Sequence, residues 1–101
     1  MRFVMHVSMP PGKFNQAILD GSAGEKIGRI LQEIKPEAAY FTSKDGTRGG
    51  FLVVHLNDAS EMPRVAEPWF LYFDAKVELL PAMTPEDLQS ARLDQIAKKW
   101  R

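Results

Sequence analysis

Few residues of this 101-residue chain have side chains that could transfer a proton near neutral pH. His6 and His55 are its two histidines, and the chain contains no cysteine. An imidazole titrates close to neutral pH, so a histidine can act as a general acid or base. The sequence therefore limits any chemistry to imidazole, carboxylate or phenol groups, and it excludes a cysteine nucleophile, thiolate metal ligands and disulfides.

Both histidines lie in segments where apolar and polar residues alternate, which is the pattern of a strand with one buried face. His6 falls in residues 2–9 and His55 in residues 49–57, while Glu78 belongs to a third alternating segment, residues 75–80. If the first and third strands of the chain are neighbours, both histidines share one sheet face with Glu78. The sequence thus predicts His6, His55 and Glu78 as candidate catalytic residues.

Three interpretations of these residues remain open. The histidines could exchange protons with a substrate, with Glu78 as a base whose pKa is raised by burial. They could instead be two ligands of a metal ion, with Glu78 as the third ligand. They could also be hydrogen-bonding residues of an interface, with Glu78 and Lys76 forming an ion pair at its edge.

Aromatic residues are densest at 69–73, where Trp69, Phe70, Tyr72 and Phe73 occur together. Such a cluster is typical of a core, because each ring buries a large area. If a cavity lies between helices and sheet, Trp69 and Tyr72 are expected to line it and Tyr40 to add a hydroxyl group. These three residues are the candidate substrate-binding residues.

The elements that position these residues follow from apolar periodicity and from proline and glycine. The sequence predicts strands at 2–9, 37–43, 49–57 and 75–80, with an Asp45-Gly46 hairpin turn between the second and third. A helix over 13–34 is expected to break near Gly21, with Ser22 and Glu25 spaced as a capping box. A short helix from Asp58 is expected to end before Pro68, and a last helix begins at Thr84.

This order, β-α-β-β-α-β with a terminal helix, predicts an α+β fold of ferredoxin-like type with a four-stranded antiparallel sheet, as one domain over residues 1–101. The helices should cover the apolar set Phe3, Met5, Val7, Leu52, Val54, Leu56, Ala75, Val77 and Leu79. The opposite face carries Val4, His6, Ser8, Phe51, Val53, His55, Lys76, Glu78 and Leu80. Since that face is too apolar to leave in water, the sequence predicts a homodimer through the sheet face.

Composition excludes several partner classes. The chain has 13 Lys+Arg and 13 Asp+Glu, so it lacks the basic excess that nucleic-acid binding needs. Its opening apolar segment is short and lacks the layout of a signal peptide, and no segment has the apolar length of a membrane span. We expect a cytoplasmic protein that needs no cofactor and binds neither nucleic acid nor a membrane. A small molecule is the class of ligand that the composition leaves open.

The opening strand ending near Pro10-Pro11, the helix segment 25–32 (EKIGRILQ) and the passage 67–80 (EPWFLYFDAKVELL) carry a family resemblance. With them the chain resembles the dimeric α+β barrel proteins, most closely the muconolactone isomerase-like group, over about residues 1–83. The resemblance is one of pattern, and the carrying passage is a proline-aromatic run that leads into an alternating strand.

Two segments depart from that family. Residues 40–43 stand where the family has a second strand rich in histidine, tryptophan and arginine, and residues 81–84 replace its histidine-proline-serine segment. The resemblance therefore implies the fold and the dimer but transfers no catalytic residue. It implies a cofactor-free isomerase that acts on a small lactone or aromatic acid. Related barrel proteins also include cofactor-free oxygenases, so this second activity is implied as well. The alternative is a non-catalytic ligand-binding or dimerisation domain.

Overall fold

The computed structural model describes residues 1–101 as an α+β structure with one four-stranded antiparallel sheet. The strands are β1 (Arg2–Ser8), β2 (Ala38–Lys44), β3 (Thr47–His55) and β4 (Lys76–Pro81), in the spatial order β2-β3-β1-β4. The helices are α1 (Pro11–Leu19), α2 (Ala23–Ile34), α3 (Met62–Phe73), α4 (Pro85–Ser90) and α5 (Leu93–Lys99). The arrangement is compatible with a ferredoxin-like fold, and none of its helices has the length and apolar character to cross a membrane.

The core lies between one sheet face and α1, α2 and α3. Every residue that the alternation assigned to the helix-facing side is buried or half-buried, and Met5 and Leu52 are fully buried. Trp69 and Phe73 of α3 are also fully buried and pack in the same apolar cluster. The predicted parity of the first, third and fourth strands is confirmed, because period-two alternation determines which face of a strand is covered.

The predicted break of the first helical region is confirmed, although its capping differs from the prediction. Gly21 has a φ of +83°, a conformation that favours glycine, and it separates α1 from α2. The side chain of Ser22 caps nothing, so the predicted box with Glu25 is wrong. Instead, the carboxylate of Asp20 accepts a hydrogen bond from the Ser22 backbone N–H at 2.8 Å.

The prediction that the helix after Asp58 ends before Pro68 is wrong. Asp58 caps a short 3-10 turn, and α3 then continues through Pro68 to Phe73, ending at Asp74 with a φ of 52°. An interior proline loses a backbone hydrogen bond and costs about 3 kcal/mol. Burial of large aromatic side chains at two successive turns, Trp69 and Phe73, offsets that cost.

The C-terminal region also differs from its prediction in one respect. The predicted start at Thr84 is confirmed, because Thr84 Oγ1 accepts from the Asp87 N–H at 3.1 Å and Asp87 Oδ2 accepts from the Thr84 N–H at 3.0 Å. The single predicted helix is, however, two short helices. They are separated at Arg92, whose φ of 56° is left-handed.

The hairpin of β2 and β3 depends on glycine at two places. Asp45 and Gly46 both have positive φ, 55° and 73°, as the tightest hairpin turns require. Further along β3, Gly49 lies opposite Ser8 of β1 and Thr42 of β2. A β-carbon built on Gly49 would clash with the backbone carbonyl of Val7, so β1 and β3 approach closely only because this residue has no side chain.

We predict that Gly49→Ala lowers the free energy of unfolding by about 1–3 kcal/mol, because backbone must move to admit the methyl group. Gly28→Ala is the matched control. Gly28 is exposed in α2 with no atom within 4 Å of an added β-carbon, so this change should stabilise the helix by about 0.5–1 kcal/mol. Urea unfolding followed by circular dichroism measures both, and equal effects of the two changes would contradict the close approach.

Candidate functional site

The sheet face away from the helices, which we call the open face, carries one row of chemically distinct side chains. Cross-strand pairing aligns Tyr40 of β2 with Phe51 of β3, Phe51 with His6 of β1, and His6 with Glu78 of β4. One residue from each strand thus contributes to the row. Because residues directly opposite each other on one face are close neighbours, a phenol, a phenyl ring, an imidazole and a carboxylate are adjacent.

His6 is the best-sheltered polar residue of this row. Its side chain is 14% exposed, and its ring stacks on that of Phe51 with a centroid distance of 4.7 Å and an interplanar angle of 23°. His6 Nδ1 lies 3.5 Å from Glu78 Oε1, an ion-pair distance when the imidazole is protonated. A carboxylate on the Nδ1 side favours the tautomer with hydrogen on Nδ1, which leaves the Nε2 lone pair to accept a proton.

Next to this row lies an apolar row along the same strands. Val4 of β1 pairs with Val53 of β3 and with Leu80 of β4, and Val53 pairs with Ala38 of β2. His6 therefore has three aliphatic residues of this row beside or diagonal to it, namely Val4, Val53 and Leu80.

The second histidine belongs to a separate cluster at the far end of the open face. His55 pairs with Arg2 in the register of β1 and β3, four positions from the pair of His6 and Phe51. At the rise of a strand this separation is roughly 13 Å along β1. The expectation that the two histidines share a face holds, but they lie too far apart to act on one bond.

Glu37 organises this second cluster. Its Oε1 accepts hydrogen bonds from Arg2 Nε and Nη2 at 3.0 and 2.8 Å, and it lies 2.7 Å from His55 Nε2. The hydrogen bond with His55 and then those with Arg2 hold the pKa of Glu37 below its ordinary value. The cluster joins the start of β1, the end of β3 and the residue before β2, so its evident role is to hold three segments together.

The ligands that a metal site would need do not converge. His55 is engaged by Glu37, while Glu78 adjoins His6 at the other end of the strand pair. No group of three or more histidine, aspartate or glutamate side chains is placed to hold a metal ion. His6 and Glu78 alone would supply two of the four ligands that a typical zinc site uses.

The three candidate substrate-binding residues occupy three different places. Tyr40 is on the open face, 72% exposed, in the row of His6. Trp69 is fully buried in the core, and its indole Nε1 has no hydrogen-bond partner. Tyr72 lies in the helical layer on the other side of the sheet, where its hydroxyl accepts from Arg29 Nη1 at 3.3 Å. Only Tyr40 lies on the surface that carries His6.

The cavities of the chain lie elsewhere. The largest, about 390 Å³, is polar and is lined by residues of α1 and the hairpin, including Asn15, Thr47 and Arg48. A second, about 260 Å³, lies beside Tyr72 and Arg29. No cavity is lined by His6, His55 or Trp69. The row of His6 is therefore an open surface in the single chain.

The sequence analysis gave neither Phe51 nor Glu37 a role at the site. Phe51 lies in β3, as predicted, and Glu37 directly precedes β2. The signal for Phe51 was available, since register counted from the Asp45-Gly46 turn puts it opposite Tyr40. Glu37 lies between Pro36 and the first residue of β2, and no sequence pattern connects it to Arg2 or His55.

No protein-family model matches this chain, and no curated protein matches it either.

We predict that Glu37→Gln destabilises the chain at neutral pH and that this difference disappears in acid. A carboxyl group whose folded pKa is lowered stabilises the fold above the unfolded pKa, about 4.3 for glutamate, and loses that contribution as the pH falls through the folded value. The readout is the urea midpoint of both proteins between pH 7 and pH 3. Glu33→Gln, an exposed glutamate of α2 without an ion pair, should show no such pH dependence.

Proposed function

We propose that two copies of this chain pair through their open faces to form a dimeric α+β barrel, and that the enclosed row of His6 transfers a proton without a cofactor. The reaction class is isomerisation of a small lactone or aromatic acid, as in the muconolactone isomerase-like proteins that the sequence resembles. The location remains the cytoplasmic one that the sequence predicts. His6 is the proton-transfer residue, Glu78 orients it, and Tyr40 is the hydrogen-bond donor to the substrate.

The observation that carries this proposal is the position of His6 between Phe51 and Glu78. A sheet face that serves only as an aliphatic interface gains nothing from a sheltered imidazole with an orienting carboxylate. A catalytic base, in contrast, needs a fixed orientation, and the pairing of imidazole with carboxylate provides it. The stack on Phe51 holds the ring in place.

The dimer is supported by the apolar row of Val4, Ala38, Val53 and Leu80. In the single chain Val4, Ala38 and Val53 are only half-buried and Leu80 is 49% exposed, and β2 and β4 leave two unpaired strand edges beside them. Burying such a row stabilises by about 25 cal/mol for each Å² removed from water. A two-fold partner presents the same row, so one symmetric contact covers both copies.

Enclosure by the partner also changes the chemistry of the row. Removing water strengthens hydrogen bonds and charge interactions, because the effective dielectric constant falls. For an unsaturated lactone, His6 Nε2 removes a proton from the carbon beside the carbonyl, and the Tyr40 hydroxyl donates to the carbonyl oxygen that becomes negative. The imidazolium then returns the same proton to the far end of the double-bond system, so that atoms and charge balance.

A second candidate function is a binding or dimerisation domain without chemistry. It is favoured by the absence of any cavity next to His6 in the single chain. In that case His6 and Glu78 would be a polar pair within an interface. The two candidates share the dimer and differ only in turnover.

For the dimer, we expect light scattering to give a mass of two chains for the wild type at micromolar concentration and of one chain for Val53→Asp. Val53 lies between Ala38 and Val4 in the apolar row, so a carboxylate there would be buried without a partner. Gln32→Asp is the matched control, since it adds the same carboxylate to an exposed position of α2. A wild type of single-chain mass at about 100 µM would refute the dimer.

For the chemistry, α-angelica lactone is a suitable probe, because its isomerisation to β-angelica lactone is the proton shift described above. We expect the wild type to accelerate it and His6→Gln to lower kcat about 10²- to 10⁴-fold, the usual contribution of a general base. Glu78→Gln should lower kcat less and change its pH profile. Proton NMR of the two lactones measures the rate.

The same substitution at the other histidine is the control. His55→Gln should leave the rate near that of the wild type, because His55 lies roughly 13 Å away along the strand pair and is engaged by Glu37. An active wild type that loses its rate through His55→Gln and keeps it in His6→Gln would overturn the assignment. A dimer that accelerates neither this lactone nor the enolisation of related lactones would favour the binding domain.

A further inference from the structure

Residues 84–101, which we call the C-terminal arm, extend away from the rest of the chain. The arm contains α4 and α5, and neither helix has a buried residue. The chain measures 59 × 28 × 19 Å, with a radius of gyration of 16.9 Å against about 13 Å for a compact chain of this length. The elongation indicates that the arm does not fold back onto its own sheet or helices.

The arm is nevertheless built as ordered helix. The reciprocal hydrogen bonds of Thr84 and Asp87 cap α4, and Lys98 and Lys99 lie in the last turn of α5, where cations are favoured. Helices of six and seven residues are far below the 12–15 residues at which an isolated helix becomes even marginally stable in water. Such short helices persist when their apolar side chains pack against another surface.

The arm has the side chains for that packing. Its four large apolar residues are exposed by 45–77%, and they are Leu88, Leu93, Ile96 and Trp100. Two leucines and an isoleucine that are about half exposed, together with an exposed tryptophan, fall within 13 positions. A pair of helices that faces only water normally carries fewer large apolar residues. The apolar content of the arm therefore calls for a covering surface that the same chain does not supply.

The point where the arm leaves the sheet indicates what this surface is. The Ala82 N–H donates to the Arg2 carbonyl at 3.0 Å, so the arm starts at the end of edge strand β4, on the rim of the open face. In the proposed dimer the second copy lies directly across that rim. It is thus the first surface that the arm can reach.

The size of the open face points to the same partner. Four strands spaced by 4.8 Å and seven residues long form a footprint of roughly 19 by 23 Å. This is small beside the surface of about 800 Å² per partner that a standard interface buries. An arm of 18 residues laid on the other copy would supply the remaining contact area.

We propose that the C-terminal arm crosses to a second copy of this chain and packs Leu88, Leu93, Ile96 and Trp100 against the body of that copy, residues 1–83. This inference rests on the proposed sheet-face dimer and adds to it an exchange of arms. Each copy then covers part of its partner, and the apolar side chains of the arm add contact area to the dimer interface.

The absence of cysteine makes a direct test possible. Gln95→Cys places a single thiol beside Ile96 without removing an apolar residue, and a benzophenone maleimide on it forms cross-links within its reach on illumination. Unlabelled and ¹⁵N-labelled copies are mixed one to one in urea and refolded together, so that pairing is random. Mass spectrometry of arm-to-body cross-links then distinguishes links between copies from links within one copy.

We expect about half of the arm-to-body cross-links to join a labelled and an unlabelled chain, which is the share for links between randomly paired copies. Cross-links only between chains of the same label would mean that the arm folds back on its own body, and would overturn the proposal. A dimer by light scattering without any arm-to-body cross-link would overturn it as well. In both cases the sheet-face dimer would stand, whereas a single-chain mass would refute dimer and arm exchange together.

A pair of arm variants checks the apolar contacts. Ile96→Asp should increase the dimer dissociation constant at least tenfold, while Gln89→Asp, which adds the same charge to the arm at a polar position of α4, should change it less than threefold. Equal effects would contradict packing by the apolar residues. Because both positions are exposed and outside the core, either variant should keep the helical circular dichroism of the body.

Discussion

The sheet has two faces, and the helices of this chain cover only one of them. The face towards α1, α2 and α3 is dry, with Met5, Leu52, Trp69 and Phe73 fully buried. Along each strand the side chains point alternately to the two faces. The residues that the first face buries therefore determine which residues the second face presents. The row of His6 and the apolar row of Val53 are consequences of this coupling, and the proposed dimer depends on both.

The proposed chemistry draws on the same constraint. The imidazole of His6 rests on Phe51 and borders aliphatic residues. Covering the face would turn a weak surface pair of His6 and Glu78 into an interaction in low dielectric. The stability of the dimer and the reactivity of the imidazole would then depend on the same exclusion of water.

Sequence patterns predicted the parts of this structure that depend on local physics. Alternation identified the faces of β1, β3 and β4, Asp45-Gly46 the hairpin, and Gly21 the helix break. The faces in turn put His6 and Glu78 on one surface, whereas the face of Tyr40 was not predicted. Where tertiary packing outweighed a local preference, the predictions failed. Burial of Trp69 and Phe73 carried α3 through Pro68, so the helix that was predicted to end before this proline continues to Phe73.

The register of β1 on β3 and single backbone conformations had no sequence signal strong enough to use. His6 and His55 share a parity, which the sequence shows, but their separation depends on the pairing of Arg2 with His55. Arg92 adopts a left-handed φ although neither glycine nor asparagine stands there, so the division of the last helix could not be anticipated.

The two tryptophans of the chain occupy opposite environments. Trp69 is fully enclosed by apolar side chains, while Trp100 at the end of α5 is 77% exposed. An indole in an apolar surrounding emits at shorter wavelength than one in water, so the two residues give separable intrinsic fluorescence. Trp69 reports on the integrity of the core, and Trp100 reports on the environment of the last helix, without any added label. The protein thus carries one optical probe for its folding and another for the proposed covering of its arm.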